Sequence, residues 1–172
     1  MAGNELKGLG LAAGAGTGDM FLMVTGAKGL IKGESQDENF KDEINVSSWS
    51  WGMRSHSAID GGAKGKATIN ELVIVKSVDS ASTGLMAALR NNELIKKAVL
   101  TLRKAGKSQH EFLKITIENG RITSFDIQTA FPGSPELTEK LSFAFQKLKV
   151  EYIPQGPDGQ PRGGMSFETE IK

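Results

Sequence analysis

The stretch FLKITIENGRITSFDIQTAF, Phe112 to Phe131, carries the strongest fold signal in this 172-residue chain. Apolar and polar residues alternate in both of its halves, which is the two-residue period of a β-strand. The apolar positions are Leu113, Ile115 and Ile117 in the first half and Phe125, Ile127 and Phe131 in the second. Between the halves stands Asn119-Gly120, a pair that readily takes the positive φ angles of a type I′ turn. The stretch therefore predicts a β-hairpin made of strands 112–118 and 121–131.

The segment that follows, Leu137 to Tyr152, is long for one strand and changes phase partway. Its apolar residues are first odd-numbered and then even-numbered: Leu141, Phe143 and Phe145, then Leu148, Val150 and Tyr152. Because side chains alternate strictly along a strand, this change predicts a β-bulge near Gln146-Lys147, or burial of opposite faces in different places. A loop rich in proline and glycine, Pro154–Gly164, then leads to a last short strand, Met165–Lys172.

Four more strands and one helix are predicted upstream. The strands are Met20–Thr25, Ile44–Met53, Lys66–Val75 and Lys97–Lys104, the last with Ala98, Leu100 and Leu102 on one face. The helix is predicted over Asp79–Asn92, with Leu85, Met86 and Leu89 on one face. Its N-cap is expected among Ser80, Ser82 and Thr83. At its other end Arg90 lies in the last turn, and Asn91 or Asn92 is expected as the left-handed cap. About eight strands and one short helix indicate a mainly β, antiparallel two-sheet barrel or sandwich. Few prolines lie within the strands to prevent their edges from pairing with other chains, so closure of the barrel or oligomerisation is expected.

The composition excludes several classes of protein. Hydrophobic residues make up 38% and charged residues 24% of the chain, which suits one globular domain. The net charge of +1, without a basic stripe, does not predict binding of nucleic acid. No apolar run is long enough for a membrane span. The absence of cysteine excludes disulfides, a cysteine metal site and a cysteine nucleophile.

The N-terminal residues 1–18 form a separate region in this interpretation. Six of these eighteen residues are glycine, so a flexible extension is expected, followed by one domain over residues 19–172. Glu5 and the glycines argue against a signal peptide, whose central region is apolar and able to form a helix. Only seven residues precede Gly8, so the glycines here do not fit a dinucleotide-binding motif either.

The residues that carry chemistry are sparse, and no enzyme activity, metal or cofactor is predicted. His56 and His110 lack ligand spacing and are expected at the surface. The carboxylates of Glu34–Glu43 are expected in one solvated loop, where they would titrate near their ordinary values and suit no general acid at neutral pH. No G-x-S-x-G motif is present.

Trp49 and Trp51 lie two residues apart and share one face of the predicted strand, whereas Ile44 and Val46 take the other face. Two interpretations follow. Together with Tyr152, the two tryptophans can form the platform of a monomeric β-barrel module that binds a peptide or a sugar. Alternatively they pack in the core or in a subunit interface, with Gly52 opening the next turn.

Four short motifs, each ordinary alone, occur in a specific order and spacing. They are KGES at Lys32–Ser35, SWSWG at Ser48–Gly52, LRKAG at Leu102–Gly106 and VEYIPQ-x-x-DG at Val150–Gly159. With these motifs, residues 19–172 resemble the haemolysin-coregulated protein family, Hcp, whose members are tube proteins of bacterial type VI secretion. The first eighteen residues are not part of the usual start of that family.

The resemblance implies a small two-sheet barrel with one helix, hexameric rings that stack into a tube, and no cofactor. Its partners would be further copies of itself, the contractile sheath, the spike and secreted effectors held in the lumen. The protein would reside in the bacterial cytoplasm and leave through the type VI apparatus without a signal peptide. Contact residues are expected in the loop Arg54–Gly65 and the segment Glu34–Lys41.

The residues singled out for these roles form two groups. Contact between subunits or rings is assigned, from exposure and from position in the resemblance, to Glu34, Ser35, Gln36, Asp37, Arg54, Ser55, His56, Ser57 and Asp60. Structural packing is assigned to Trp49, Trp51, Gly52, Phe143, Phe145 and Tyr152.

Overall fold

A computed structural model of the chain describes residues 18–55, 67–106 and 109–171. These residues form twelve strands and one helix: β1 Gly18–Gly26, β2 Gly29–Ile31, β3 Ile44–Asn45, β4 Ser48–Ser50, β5 Met53–Arg54, β6 Thr68–Ile69, β7 Leu72–Ser77, α1 Ser82–Arg90, β8 Ile95–Lys104, β9 Glu111–Thr129, β10 Leu137–Ala144, β11 Lys147–Tyr152 and β12 Met165–Glu170. The predicted class, mainly β with antiparallel sheets and one short helix, is confirmed. The predicted N-terminal extension, apart from Gly18, and positions 56–65 of the predicted loop lie outside the described residues.

The strands form two main layers. Sheet A has the order β1, β8, the first half of β9, β11 and β12, with the short strands β2 and β3 on the far side of β1. Sheet B has the order second half of β9, β10, β7 and β4. Between the layers lies an apolar core to which both contribute, for example Leu22, Leu100 and Ile117 from sheet A and Ile74, Leu141 and Phe143 from sheet B. Burial of this core supplies the main stabilisation of the fold.

The predicted hairpin at Asn119-Gly120 is wrong, because β9 continues through it as one strand of 19 residues. Residues before Asn119 pair with β8 and β11, and residues after Gly120 pair with β10. Asn119 has the positive φ of 52° that the pair favours, but this bends the strand from one sheet into the other instead of reversing it. A side chain at Gly120 would place its Cβ 2.6 Å from the carbonyl oxygen of Ala144, so only glycine fits there.

The predicted break near Gln146 is confirmed. β10 belongs to sheet B and β11 to sheet A, and Phe145 and Gln146 connect them. The amide of Gln146 lies 3.2 Å from the carbonyl oxygens of both Glu118 and Asn119. The two chain segments that pass between the sheets are therefore bonded to each other at one corner, which explains why Leu141 and Leu148 are both buried despite their opposite phase.

The single strands predicted at Ile44–Met53 and Lys66–Val75 are also wrong in detail, since each is interrupted. The first becomes β3, β4 and β5. In this segment the Val46 amide donates to the carbonyl oxygen of Met20 in sheet A, and the Ser47 amide donates to the carbonyl oxygen of Val75 in sheet B. The chain therefore crosses between the two layers at this point. That crossing accounts for the change of apolar face along this segment. The second becomes β6, which pairs only with β5 among the described residues, and β7.

Helix α1 is shorter at both ends than predicted, and no serine or threonine caps its first residue. Instead the Asp79 carboxylate accepts from the Ala81 amide at 3.0 Å. Leu85 and Ala88 are buried under the helix, and Asn92 takes the expected left-handed conformation with φ of 50°. Among the described residues no helix is long and apolar enough to cross a membrane.

Candidate functional site on sheet A

The segment Lys32–Glu43, which we call the strap, lies across the face of sheet A that points away from the core. The ring of Phe40 in the strap stacks on Phe21 of β1, with centroids 4.3 Å apart and planes within 3°. The guanidinium carbon of Arg103 in β8 lies 5.1 Å from the Phe21 centroid and 5.4 Å from that of Phe40. Stacking and cation–π attraction therefore hold the strap to the sheet.

Arg103 also closes an ion-pair cluster under the strap. It donates to both carboxylate oxygens of Asp37, at 2.6 and 3.1 Å, and to Asp19 at 2.8 Å, while its own side chain is buried. These hydrogen bonds lower the pKa of Asp37 and raise that of Arg103. The expectation that all carboxylates of this segment titrate near their ordinary values is therefore wrong for Asp37, because the two-fold contact with arginine favours its charged form.

Glu43, at the end of the strap, is perturbed in the opposite direction. Burial, followed by the nearby charge of Glu111, raises its pKa to about 6, although Lys114 opposes the shift. The charged form of Glu43 is thus disfavoured in the folded protein. The expectation of an ordinary pKa is wrong for this residue also, because the sequence does not show how far the strap buries it.

We expect Glu43→Gln to stabilise the protein by about 1 kcal/mol at about pH 7.5, a value discounted for the partial exposure of the side chain. The pKa of Glu43 is raised from 4.5 to about 6 on folding, so its penalty grows as pH rises through that window and is absent below it. Denaturant unfolding at about pH 4.5 should therefore show no gain. The exposed neighbour variant Glu38→Gln should change little at either pH, and an equal gain from both variants would contradict the assignment.

Beside the strap, the same side of sheet A forms a concave face around an open cavity of about 920 Å³. Six glutamates and four lysines line it: Glu43, Glu111, Glu118, Glu151, Glu168 and Glu170, and Lys97, Lys114, Lys147 and Lys149. The strand register places charges of alternating sign side by side. One row crosses four strands as Lys97, Glu118, Lys147 and Glu170. Four apolar residues, Met23, Phe40, Val99 and Leu148, also line the cavity.

Few of these charges are paired within the chain. Lys149 lies 3.3 Å from Glu168 and 3.5 Å from Glu151, and the hydrogen bond with Glu168 is the main cause of its raised pKa. None of the other charged residues of the concave face makes an ion pair within the part of the chain that the structure describes. The face therefore presents mostly free carboxylates and ammonium groups.

The last strand of sheet A, β12, is exposed along almost its whole length. It pairs with β11 on one side only, and its other edge is open among the described residues. On the face opposite the concave one, Met165 and Phe167 are 66% and 44% exposed, and Tyr152 of β11, the partner of Met165, is 46% exposed. We call these three residues, with the exposed Ile171, the β12 patch. An open strand edge beside an uncovered apolar patch is typical of a protein–protein interface.

The predicted contact residues occupy different environments. Glu34 and Gln36 are exposed, and Glu34 accepts a hydrogen bond from the Ser80 amide ahead of α1 at 2.8 Å. Ser35 is only 1% exposed, and its hydroxyl accepts from the amide of Asp37, which itself binds Arg103. Arg54 is the last residue of β5 and Ser55 follows it, and both are exposed. His56, Ser57 and Asp60 fall outside the described residues, and the part of the whole set in contacts between subunits stays a prediction.

The predicted packing residues are divided between core and surface. Phe143 and Phe145 are buried, and Trp49 and Trp51 are partly buried against the core, with Trp49 paired to Ile74 in sheet B. Gly52 accepts a hydrogen bond from the Asn70 amide where β5 begins. Tyr152 instead lies on β11 in the β12 patch, in sheet A. This arrangement gives no support to a binding platform shared by the two tryptophans and Tyr152.

The sequence prediction was wrong about one site and did not include another. His110, expected at the surface, is 7% exposed, and its Nε2 lies 2.7 Å from the carbonyl oxygen of Ile153, the residue that follows β11. The buried pair of Lys76 and Glu139 was not predicted. Both lie in phase with the apolar residues of their strands, which is the signal that identifies them as core residues.

Comparison with known sequences places the chain among secretion proteins. The sequence model of the family described as "Type VI secretion system effector, Hcp" matches residues 21–152. A curated relative, the protein hcp1 of Pseudomonas aeruginosa, is 36% identical over 151 residues, which cover 85% of this chain and 90% of the relative.

Solved structures agree with that comparison. The fold is similar to a structure described as a type six secretion system protein, with a TM-score of 0.80 at 23% identity, over 90% of this chain and 96% of the other. It is also similar to Hcp1 from Salmonella typhimurium, with a TM-score of 0.72 at 28% identity, over 89% and 94% of the two chains. A type VI secretion system effector from Yersinia pestis gives a TM-score of 0.69 at 27% identity, over 89% and 100%.

Proposed function

Because the chain belongs to the Hcp family of type VI secretion proteins, we propose that it is a structural subunit of the inner tube of that system. In this proposal six copies form a ring, rings stack into a tube, and the lumen carries effectors. The contractile sheath would surround the tube and the spike would close its tip. The protein would leave the bacterial cytoplasm through this apparatus without a signal peptide.

The observation that carries the proposal is β12, with its open edge and uncovered apolar patch. A ring of identical subunits needs a heterologous interface, in which one surface of each subunit meets a different surface of the next. The β12 patch supplies one such surface. The other long side of sheet A, where β2 and β3 border β1, lies at the opposite end of the strand order and is a different surface. Sheet A therefore offers two unlike edges that can meet around a ring.

Charge also favours contact between these two edges of sheet A. On β12, Glu168 and Glu170 are exposed, and Glu170 makes no ion pair within the described part of the chain. The opposite edge carries the exposed lysines Lys28 and Lys32, which flank β2. Attraction between an acidic and a basic edge orients the encounter of two subunits, while burial of the β12 patch supplies most of the affinity.

Phe167→Lys tests this interface, because it places a charge in the patch without altering the open edge. We expect the wild-type protein to form six-subunit rings and the variant to remain monomeric, since each interface would bury an unpaired ammonium group. Light scattering after size exclusion, with negative-stain images, measures the outcome.

Ser166→Lys is the matched control, because it introduces the same side chain on the opposite face of the same strand. It should keep the rings. Thermal unfolding confirms that both variants are folded. A wild-type protein that stays monomeric at high micromolar concentration would refute the ring proposal, and rings in Phe167→Lys would refute the role of the patch.

A further inference from the structure

We infer that the concave face of sheet A binds polypeptides that carry closely spaced positive charges, holding them by their ammonium or guanidinium groups. The inference deepens the proposed function by naming the chemistry of the carried polypeptide. It rests on that function in one respect, because it takes the concave face to line the lumen of the ring. It starts from the acidic excess of the face, six glutamates against four lysines.

The acidic groups are concentrated at two margins. Glu43 and Glu111 face each other where the strap meets β9, and Glu168 and Glu170 lie on β12. Around Glu43 the charged groups are Glu111 and Lys114 of β9 and Asp37 of the strap, and Asp37 is already bound to Arg103 of β8. A single lysine thus faces the two free carboxylates, and an added cation would relieve their repulsion.

The free carboxylates distinguish this face from an ordinary solvated sheet. Glu43, Glu111, Glu118 and Glu170 make no ion pair within the described residues, although Glu118 lies between Lys97 and Lys147 in its row. A partner that brings cations can therefore bind them without first breaking bonds inside the protein. Ten charged residues line the cavity against four apolar ones, so charge complementarity decides which polypeptides bind.

The spacing and shape favour a polypeptide over other cationic ligands. Glu168 and Glu170 are two residues apart on one strand, a distance of about 7 Å, which matches alternate side chains of an extended chain. Glu170 is unpaired among the described residues, whereas a bound cation would share Glu168 with Lys149. The cavity is open and spans five strands, so a small cation would occupy little of it. The described residues contain no cluster of three or more ligands suited to a metal ion. A polyanion such as single-stranded DNA would be repelled by the excess of negative charge on this face.

Fluorescence anisotropy of two labelled peptides tests the inference on the full chain. One peptide repeats Lys-Ser and the other, of equal length, repeats Glu-Ser. We expect the basic peptide to bind at least about tenfold more tightly, and its binding to be lost as salt rises to about 0.5 M. Equal binding of the acidic peptide or of a labelled oligo-dT, or binding that salt leaves unchanged, would overturn the inference.

Variants locate the binding. The double variant Glu43→Gln, Glu111→Gln should raise the Kd of the basic peptide roughly three- to tenfold. Glu136→Gln, an exposed glutamate on the loop between β9 and β10, is the matched control and should leave Kd unchanged. Equal effects of both would overturn the assignment to this face.

Lowering the pH from about 7.5 to about 5 should weaken binding of the basic peptide to the wild type, because Glu43 then takes up a proton, and weaken it less in the double variant. Light scattering on the same samples separates the two proposals. Binding without rings would refute the tube and keep the inference, whereas rings that do not prefer the basic peptide would refute the inference alone.

Discussion

Replacing Lys76 with methionine is expected to destabilise the protein by about 3–5 kcal/mol, the typical cost of leaving one charge of a buried pair without its partner. Lys76 in β7 and Glu139 in β10 are both completely buried, and Nζ lies 2.6 Å from Oε2. Nζ also lies 2.7 Å from the Asp79 carboxylate and 3.3 Å from the Ser82 hydroxyl. Removing the ammonium group leaves a buried carboxylate and releases the residues that begin helix α1.

The double variant Lys76→Met, Glu139→Leu should recover most of that loss, because it removes both charges and fills the space with apolar atoms. Lys140→Met, the same substitution at the exposed residue next to Glu139, should change stability by less than about 0.5 kcal/mol. Urea unfolding of the wild type and the three variants measures these changes in stability. A loss below about 1 kcal/mol in Lys76→Met would show that the ammonium group is not needed to balance Glu139.

This pair shows which part of the fold is encoded locally. In β7 the residues Leu72, Ile74 and Lys76 share a phase, and in β10 Glu139 shares the phase of Leu141 and Phe143. Alternation therefore places both charges in the core. It does not show that they meet, since 63 residues separate them. Strand existence follows from alternation, whereas the choice of partner depends on packing between distant segments.

The candidate site was predicted less completely than the strands. The outward side of β8 carries Lys97, Val99, Thr101 and Arg103, which reads as an ordinary solvated face. Arg103 is nevertheless buried, because the strap folds over it with Phe40 and Asp37. No periodicity in the strap predicts where it docks, because it contains no regular strand. The pKa shifts of Asp37 and Glu43 follow from that docking and were missed for the same reason.

The hairpin predicted at Asn119-Gly120 was wrong for a different reason. The pair does adopt a positive φ, as its local chemistry favours, but the same conformation serves either a tight turn or a bend within a continuous strand. The choice depends on whether the two halves pair with each other. In this protein they pair with β8, β11 and β10 instead, and the bend joins the two sheets.

Gly120→Val tests this corner, and we expect it to destabilise the protein by about 3 kcal/mol. A Cβ at this position would lie 2.6 Å from the Ala144 carbonyl oxygen, a backbone atom that cannot move without shifting the end of β10. Gln128→Val, at an exposed position of the same strand, is the control and should remain within about 0.5 kcal/mol of the wild type, because β-branched residues suit strands.

Hydrogen exchange at the Gln146 amide distinguishes a disrupted corner from a general loss of stability. That amide lies 3.2 Å from the carbonyl oxygens of Glu118 and Asn119, next to the position of the added side chain. Gly120→Val should therefore lower protection at Gln146 by more than the global destabilisation, while amides between β1 and β8 lose only the global amount. Equal losses at both places would contradict the corner as the origin of the effect. A selective loss would show that the two crossings between the sheets are maintained by one close backbone contact, which requires glycine at position 120 whatever its turn propensity.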